Sequence, residues 1–155
     1  MTLTLMSNTM SVQEYLAMQG SGSKKKGSPE HDEQVKVFEW AEIASLKFPA
    51  LKMLLAIPNG AFYGGHWSVA NRMKAEGVRS GVPDIFLPVV MQRSELAYEV
   101  DSGLWIEMKA GKNKPSEQQK WWLEQLEKQG YVTRVCYSAE EAIGQIEDYL
   151  SFNQE

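Results

Sequence analysis

The chain has 155 residues, 43% hydrophobic and 23% charged, with a formal net charge of −4, enough for one domain with a real core and unlike a disordered chain. A single cysteine, Cys136, excludes a disulfide framework and a cysteine-rich zinc site, and it fits a reducing, intracellular (cytoplasmic) setting. Met1–Met10 has no basic lead-in, no apolar run is long enough to span a bilayer, and the acidic balance counts mildly against a polyanion partner, though local basic patches matter more than the sum.

Residues 1–28 read as a flexible N-terminal segment and linker. Val12–Gln19 suits a short helix, and the stretch from Gly20 to Ser28 holds small residues and three adjacent lysines that build no core. The domain is expected over 29–155. Ser28-Pro29-Glu30 is a helix start: a capping serine, a proline at the first helical position, an acid in the first turn. The apolar positions Val35, Phe38, Ile43 and Leu46, with Trp40 and Ala41 nearby, predict a helix to about Lys47, ended by Phe48-Pro49. Met53–Ile57 reads as a short buried strand, and Pro58-Asn59-Gly60 as a turn. Val69–Glu76 predicts a second helix stopped by Gly77.

Gly81-Val82-Pro83-Asp84 is a tight turn opening a strand over Ile85–Val90. Met91–Ser102 is polar and loop-like, or extends a hairpin. Leu104–Lys109 is a third strand and Gly111–Pro115 a basic loop. Ser116–Gln129 is a long helix with Trp122, Leu123 and Leu126 as core candidates, capped by Gly130. Tyr131–Tyr137 is a fourth strand and Ala139–Leu150 a last helix. The order helix, strand, helix, strand, strand, helix, strand, helix predicts an α/β domain with a mixed four-stranded sheet flanked by helices.

Chemistry concentrates at two places. Glu107 and Lys109 lie two apart on a strand and share a face, while Met108 points the other way into the core. A surface Glu and Lys at a strand end is the plain alternative, but Leu104-Trp105-Ile106 implies a strand well inside a sheet. There, charges are costly unless paired or metal-bound. Asp84 heads a second strand, where an aspartate can also simply close a turn. If the two strands pair, Asp84 and Glu107 can hold one hard cation, with a backbone carbonyl from Met108, and Lys109 stands beside it. Such a site suits cleavage of phosphodiester bonds. Lys109 would position or help deprotonate a water, or stabilise the transition state. Glu30 is a candidate third carboxylate on the first helix, sharing a face with Gln34; Glu33 competes for that role, and an acid here can also just serve the helix dipole. Gln119 is a candidate to bond a metal water or a phosphate.

Gly81-Val-Pro-Asp-Ile-Phe-Leu, Trp105-Ile-Glu-Met-Lys, Ser116-Glu-Gln-Gln-Lys-Trp-Trp and Gly130-Tyr, in that order, resemble the VRR-NUC family, a branch of the PD-(D/E)xK nucleases. The Ile57-Pro-Asn-Gly60 turn and the Glu30-x-x-x-Gln34 helix are similar too, so the likeness runs from about residue 29 to 150. It implies a restriction-endonuclease-like core, Mg²⁺ or Mn²⁺ dependence and a DNA substrate. It implies metal acids at Asp84 and Glu107, the lysine at Lys109, the first-helix acid at Glu30, and the glutamine at Gln119, or at its neighbour Gln118.

Asn71, Arg72 and Lys74 on the second helix, Arg79 beyond it, and Lys112 and Lys114 after Lys109 flank the site and can contact DNA phosphates; a solvated polar face is the alternative. Tyr63, His66 and Trp67 can stack on an unpaired base, pack on the core or form a dimer contact. His66 has no partner at zinc-ligand spacing, and His31 reads as a solvated helix residue. Of the adjacent Trp121 and Trp122, at most one is central to the core. Small members of the family look like homodimers, which suits two-strand cutting of a Holliday junction or other branched DNA. The competing readings are a catalytically inactive DNA-binding or scaffold protein and a sequence-specific restriction-type endonuclease. A phage or bacterial setting follows from the resemblance alone.

Overall fold

The computed structural model describes residues 28–58, 67–93 and 99–151. The N-terminal segment and Tyr63, His66, Gly60, Gly64 and Gly65 lie outside the described residues. Helix α1 spans Pro29–Ala44, and the Ser28 hydroxyl accepts the His31 N–H at 3.3 Å, capping an otherwise orphan donor. The helix ends at Ala44 rather than near Lys47. The chain then passes through Phe48 into a 3₁₀ turn, Pro49–Met53. Pro49 brings no N–H to a continuing helix and disfavours helical geometry at Phe48. That turn takes up Met53, so the expected buried strand over Met53–Ile57 is reduced to β1, Leu55–Ala56, and both of its residues are exposed rather than buried.

Helix α2 spans Trp67–Ala75 and closes at Gly77, whose φ of 98° suits glycine. Strand β2 is Ile85–Leu87, shorter than expected because Pro88 follows and cannot donate to the ladder. The segment after it contains two short strands, β3 (Met91–Gln92) and β4 (Val100–Asp101), paired as a separate small sheet. Strand β5 (Leu104–Met108), helix α3 (Glu117–Lys128), strand β6 (Val132–Cys136) and helix α4 (Ala139–Ser151) complete the chain.

The main sheet has the order β1-β2-β5-β6. β1–β2 and β2–β5 are antiparallel and β5–β6 is parallel, so the sheet is mixed, as expected. The β5–α3–β6 crossover places α3 over one face. On the other face, Leu104, Ile106, Met108 and Cys136 join Val37, Trp40 and Ala41 of α1 and Ala142, Ile143 and Ile146 of α4 in one core. The buried stripe of α1 is Val37, Trp40 and Ala41, with Ala44 packed against it. This i, i+3, i+4, i+7 pattern corrects the expected phase: Val35, Ile43 and Leu46 are exposed, Leu46 by 89%. In α3 the core contact is Leu126, while Trp122 and Leu123 are only half-buried.

Ile143 is fully buried between α4 and the sheet core. Ile143→Ala should lower the unfolding free energy by about 2–5 kcal/mol, measured from urea denaturation midpoints.

Candidate active site

Asp84 owes its place to the strand ladder. Ile85 pairs with Ile106 and Phe86 with Trp105; carrying that register one residue further sets Asp84 across from Glu107. The alternation of strand side chains then puts Asp84 and Phe86 on the same face as Trp105 and Glu107. The stacked rings of Phe86 and Trp105, 4.1 Å between centroids, mark that face. The Asp84 carbonyl accepts the Ile57 N–H at 2.8 Å, and its carboxylate Oδ2 accepts the Met108 N–H at 2.8 Å. Two acids 23 positions apart in sequence thus stand side by side at one end of β5.

Glu107 is only 1% exposed. Its Oε1 accepts the Lys109 ammonium at 2.6 Å and the Gln119 side-chain amide as well. Its Oε2 is buried with no partner among the described residues; the only similar atom is Trp105 Nε1. A buried carboxylate oxygen without a donor is unfavourable, and it is the atom a cation would meet. Lys109, also buried, is tied through its N–H to the Cys136 carbonyl at 2.8 Å, and its Nζ lies 4.0 Å from Glu30 Oε1. Glu30 itself accepts the Ala110 N–H at 3.3 Å from the first turn of α1. The fold therefore brings together five sequence-nominated residues: Glu30, Asp84, Glu107, Lys109 and Gln119, with the Met108 backbone between the two acids.

Burial first, and the neighbouring Asp84 charge second, push the Glu107 pKa up to about 7 despite the bond from Lys109. Burial also works to lower the Lys109 pKa. The hydrogen bond and charge of Glu107, with Glu30 and Asp84 behind it, outweigh burial and hold the ammonium above its ordinary range. Lys109 is accordingly a fixed positive charge beside the two acids.

Gln119 rather than Gln118 faces the acids. Gln119 closes a capping box on α3: its Oε1 accepts the Ser116 N–H at 2.8 Å and its own N–H reaches the Ser116 hydroxyl at 3.2 Å. With the amide oxygen held there, its NH₂ turns to Glu107. Gln118 instead accepts the Ser80 hydroxyl at 3.2 Å. Glu33, the rival of Glu30, is engaged elsewhere: it accepts the Ala139 N–H at 2.6 Å at the start of α4 and pairs with Lys36. Gln34 lines a cleft between α1 and Ala56 of β1.

Among the described residues no group of three His, Cys, Asp or Glu side chains is placed to hold a metal by itself. The site offers two carboxylates, which suits a hard cation that keeps several waters and accepts phosphate oxygens. Glu107, beside Asp84 and with an Oε2 that has no partner among the described residues, fits such an ion.

Lys74, Arg79, Lys112 and Lys114 are exposed. Arg72 is exposed too, but shares its charge with Glu76 at 2.8 Å one helical turn on. Trp67 is 82% exposed and Trp121 53% exposed. Ser80 and Trp122, which sequence reasoning did not place at the site, hold the turn before Asp84, with the Trp122 Nε1–H donated to the Ser80 carbonyl at 3.2 Å. No local pattern signals that contact, which spans 42 positions.

A family model described as the VRR-NUC domain matches residues 61–140, just over half of the chain. A solved structure described as a VRR-NUC domain protein superposes with a TM-score of 0.63 at 26% sequence identity, covering 83% of this chain and 93% of that one. No curated protein matches the chain. Among the described residues no helix is long and apolar enough to cross a membrane.

The raised Glu107 pKa carries a sign. Unfolded, the group titrates near its ordinary 4.5; folded, near 7. Between those values the folded state binds more protons, so its stability falls as pH rises from about 4.5 through 7 and levels off above. Without divalent metal, wild type should lose on the order of 3 kcal/mol across that window relative to Glu107→Gln, read from urea midpoints at pH 5 and pH 8.

Proposed function

The chain belongs to the VRR-NUC domain family, a nuclease-type family, and from that premise we propose that it is a metal-dependent deoxyribonuclease that hydrolyses DNA phosphodiester bonds. The observation that supports this reading is the buried Glu107 carboxylate beside Asp84, with one oxygen bonded by Lys109 and Gln119 and the other without a donor among the described residues.

Asp84, Glu107 and the Met108 carbonyl are the groups that would hold Mg²⁺ or Mn²⁺. When bound, such an ion polarises a scissile phosphate and lowers the pKa of a water. Lys109 keeps its proton at Nζ and presents positive charge where the phosphoryl oxygens gain negative charge. The Gln119 amide and the Lys109 ammonium both hold Glu107 Oε1, which leaves Oε2 for the ion. Glu30, held by the Ala110 N–H, closes the rim of the site and adds a second acceptor near Nζ. Lys112 and Lys114, on the loop that leaves Lys109, and Lys74, Arg72 and Arg79 on the α2 side are the phosphate contacts of the backbone on either side. These contacts carry no base readout, so cutting follows DNA shape: a Holliday junction or another branched DNA is the first expected substrate. A homodimer would present two such sites to two strands, and the half-exposed Trp121 is its first candidate contact.

Glu107→Ala and Lys109→Ala should each lower Mg²⁺- or Mn²⁺-dependent cleavage of labelled four-way DNA by about 10²-fold or more, with junction binding in gel shifts largely kept. Cleavage that persists in both variants, or in EDTA, contradicts the assignment. A panel of linear, flap, fork and four-way DNAs ranks the substrates, and cutting of plain duplex at one defined sequence would favour a restriction-type enzyme instead.

The Lys112→Ala, Lys114→Ala double variant should weaken binding of all DNA shapes alike. The slope of log affinity against log salt should become shallower by about 1–2, measured by fluorescence anisotropy over a salt series.

A further inference from the structure

The turn that delivers Asp84 is seated on the same helix that secures Glu107. Ser80 donates its hydroxyl to Gln118 Oε1 at 3.2 Å, and Trp122 donates Nε1–H to the Ser80 carbonyl at 3.2 Å. Gly81 follows with a φ of 81°, and a Cβ there would meet Gln118 Cγ at 2.8 Å. The turn thus approaches α3 more closely than a residue with a side chain allows. Gln118 and Trp122 are four apart on α3 and share its face toward the turn; Gln119, one step round, reaches Glu107. Beyond the turn, Pro83 is buried, and Asp84 bonds the Met108 N–H. The strand that follows has only three residues and its outer partner β1 only two, so the ladder gives the Asp84 end limited support.

From this geometry we infer that Trp122 and Gln118 are positioning residues: through Ser80 and Gly81 they set where the Asp84 carboxylate sits relative to Glu107. α3 is then a single jig for both acids. Its capping box aims Gln119 at Glu107, and its next turn clamps the Asp84 loop. Neither Trp122 nor Gln118 touches the reacting atoms. Their effect passes through Asp84, so it appears as cation affinity and as the order of the Asp84–Met108 bond. The cation part rests on the function proposed above; the Met108 part does not.

The test uses the full chain as wild type, Trp122→Phe, Ser80→Ala and Asp84→Ala. Trp122→Phe removes the N–H donor and keeps a ring. Ser80→Ala changes an exposed residue and leaves the fold in place. Mn²⁺ is titrated into each protein by calorimetry, thermal unfolding is recorded alongside, and Met108 amide exchange is followed in D₂O without metal. Asp84→Ala should lose the binding event. Trp122→Phe should weaken it about five- to tenfold and Ser80→Ala about two- to fivefold, the scale of one lost hydrogen bond. Cleavage at limiting Mn²⁺ should fall in proportion and return at saturating Mn²⁺, a rescue that a folding defect would not show. The Met108 amide should exchange about tenfold faster in Trp122→Phe, with β6 amides unchanged.

Wild-type Mn²⁺ affinity and wild-type Met108 exchange in both Trp122→Phe and Ser80→Ala would overturn the inference. So would losses that merely follow a lower folded fraction. Equal Mn²⁺ affinity in wild type and Asp84→Ala would instead refute the metal reading; accelerated Met108 exchange in Trp122→Phe would then still support the clamp.

Discussion

The structure depends on holding a carboxylate out of water with only one of its oxygens satisfied. Glu107 sits in a central strand, covered by α3 on its own face and backed by the core on the other. Lys109 and Gln119 both donate to Oε1, and Oε2 has no donor among the described residues. Burial of a charge is costly unless it is paired and hydrogen-bonded, and a nearby second acid raises the cost. The fold tolerates this because the surrounding parts are rigid: a β5 strand paired on both edges and a capped helix. The same unfavourable features make the pair a ready receiver of positive charge.

Each side chain at the site is secured by something other than its function. Asp84 is held by a backbone amide, Glu30 by another, Lys109 by the strand that ends at Cys136, and Gln119 by its own helix cap. The rotamers are therefore set without a ligand, which would lower the reorganisation needed in the proposed reaction. The basic residues proposed to meet a polyanion lie outside this cage and are exposed, so the proposed function assigns affinity and chemistry to different parts of the chain. Under the proposed function, that separation would reconcile a net charge of −4 with a polyanionic substrate.

Local signals in the sequence translated directly into structure. Ser28-Pro29, Gly77 and Gly130 sit at element ends because capping and positive φ are decided within a few residues. Glu107 and Lys109 share a face because strand alternation is obligatory. The phase of α1 was less legible: Val35, Phe38, Ile43 and Leu46 are apolar but lie mostly off the buried stripe, and packing against α4 selects Val37, Trp40 and Ala41 instead. β1 is shorter than its apolar run suggests because the 3₁₀ turn takes up Met53, and β2 is shorter because Pro88 follows Leu87. At the site, the pairing of Asp84 with Glu107 followed from assuming adjacent strands. Glu30 and Gln119 are only candidates from their helix positions and are sharpened by family resemblance, and the Ser80–Trp122 contact has no signal, since its partners are brought together only by the tertiary fold.

The most direct measurement is anomalous scattering from crystals of the protein grown with Mn²⁺, since manganese is located by its own signal. A manganese peak is expected in contact with the carboxylates of both Asp84 and Glu107, with Lys109 still bonded to Glu107 alongside it. Manganese found only at other residues, or none at millimolar concentration in an otherwise well-formed site, would contradict it.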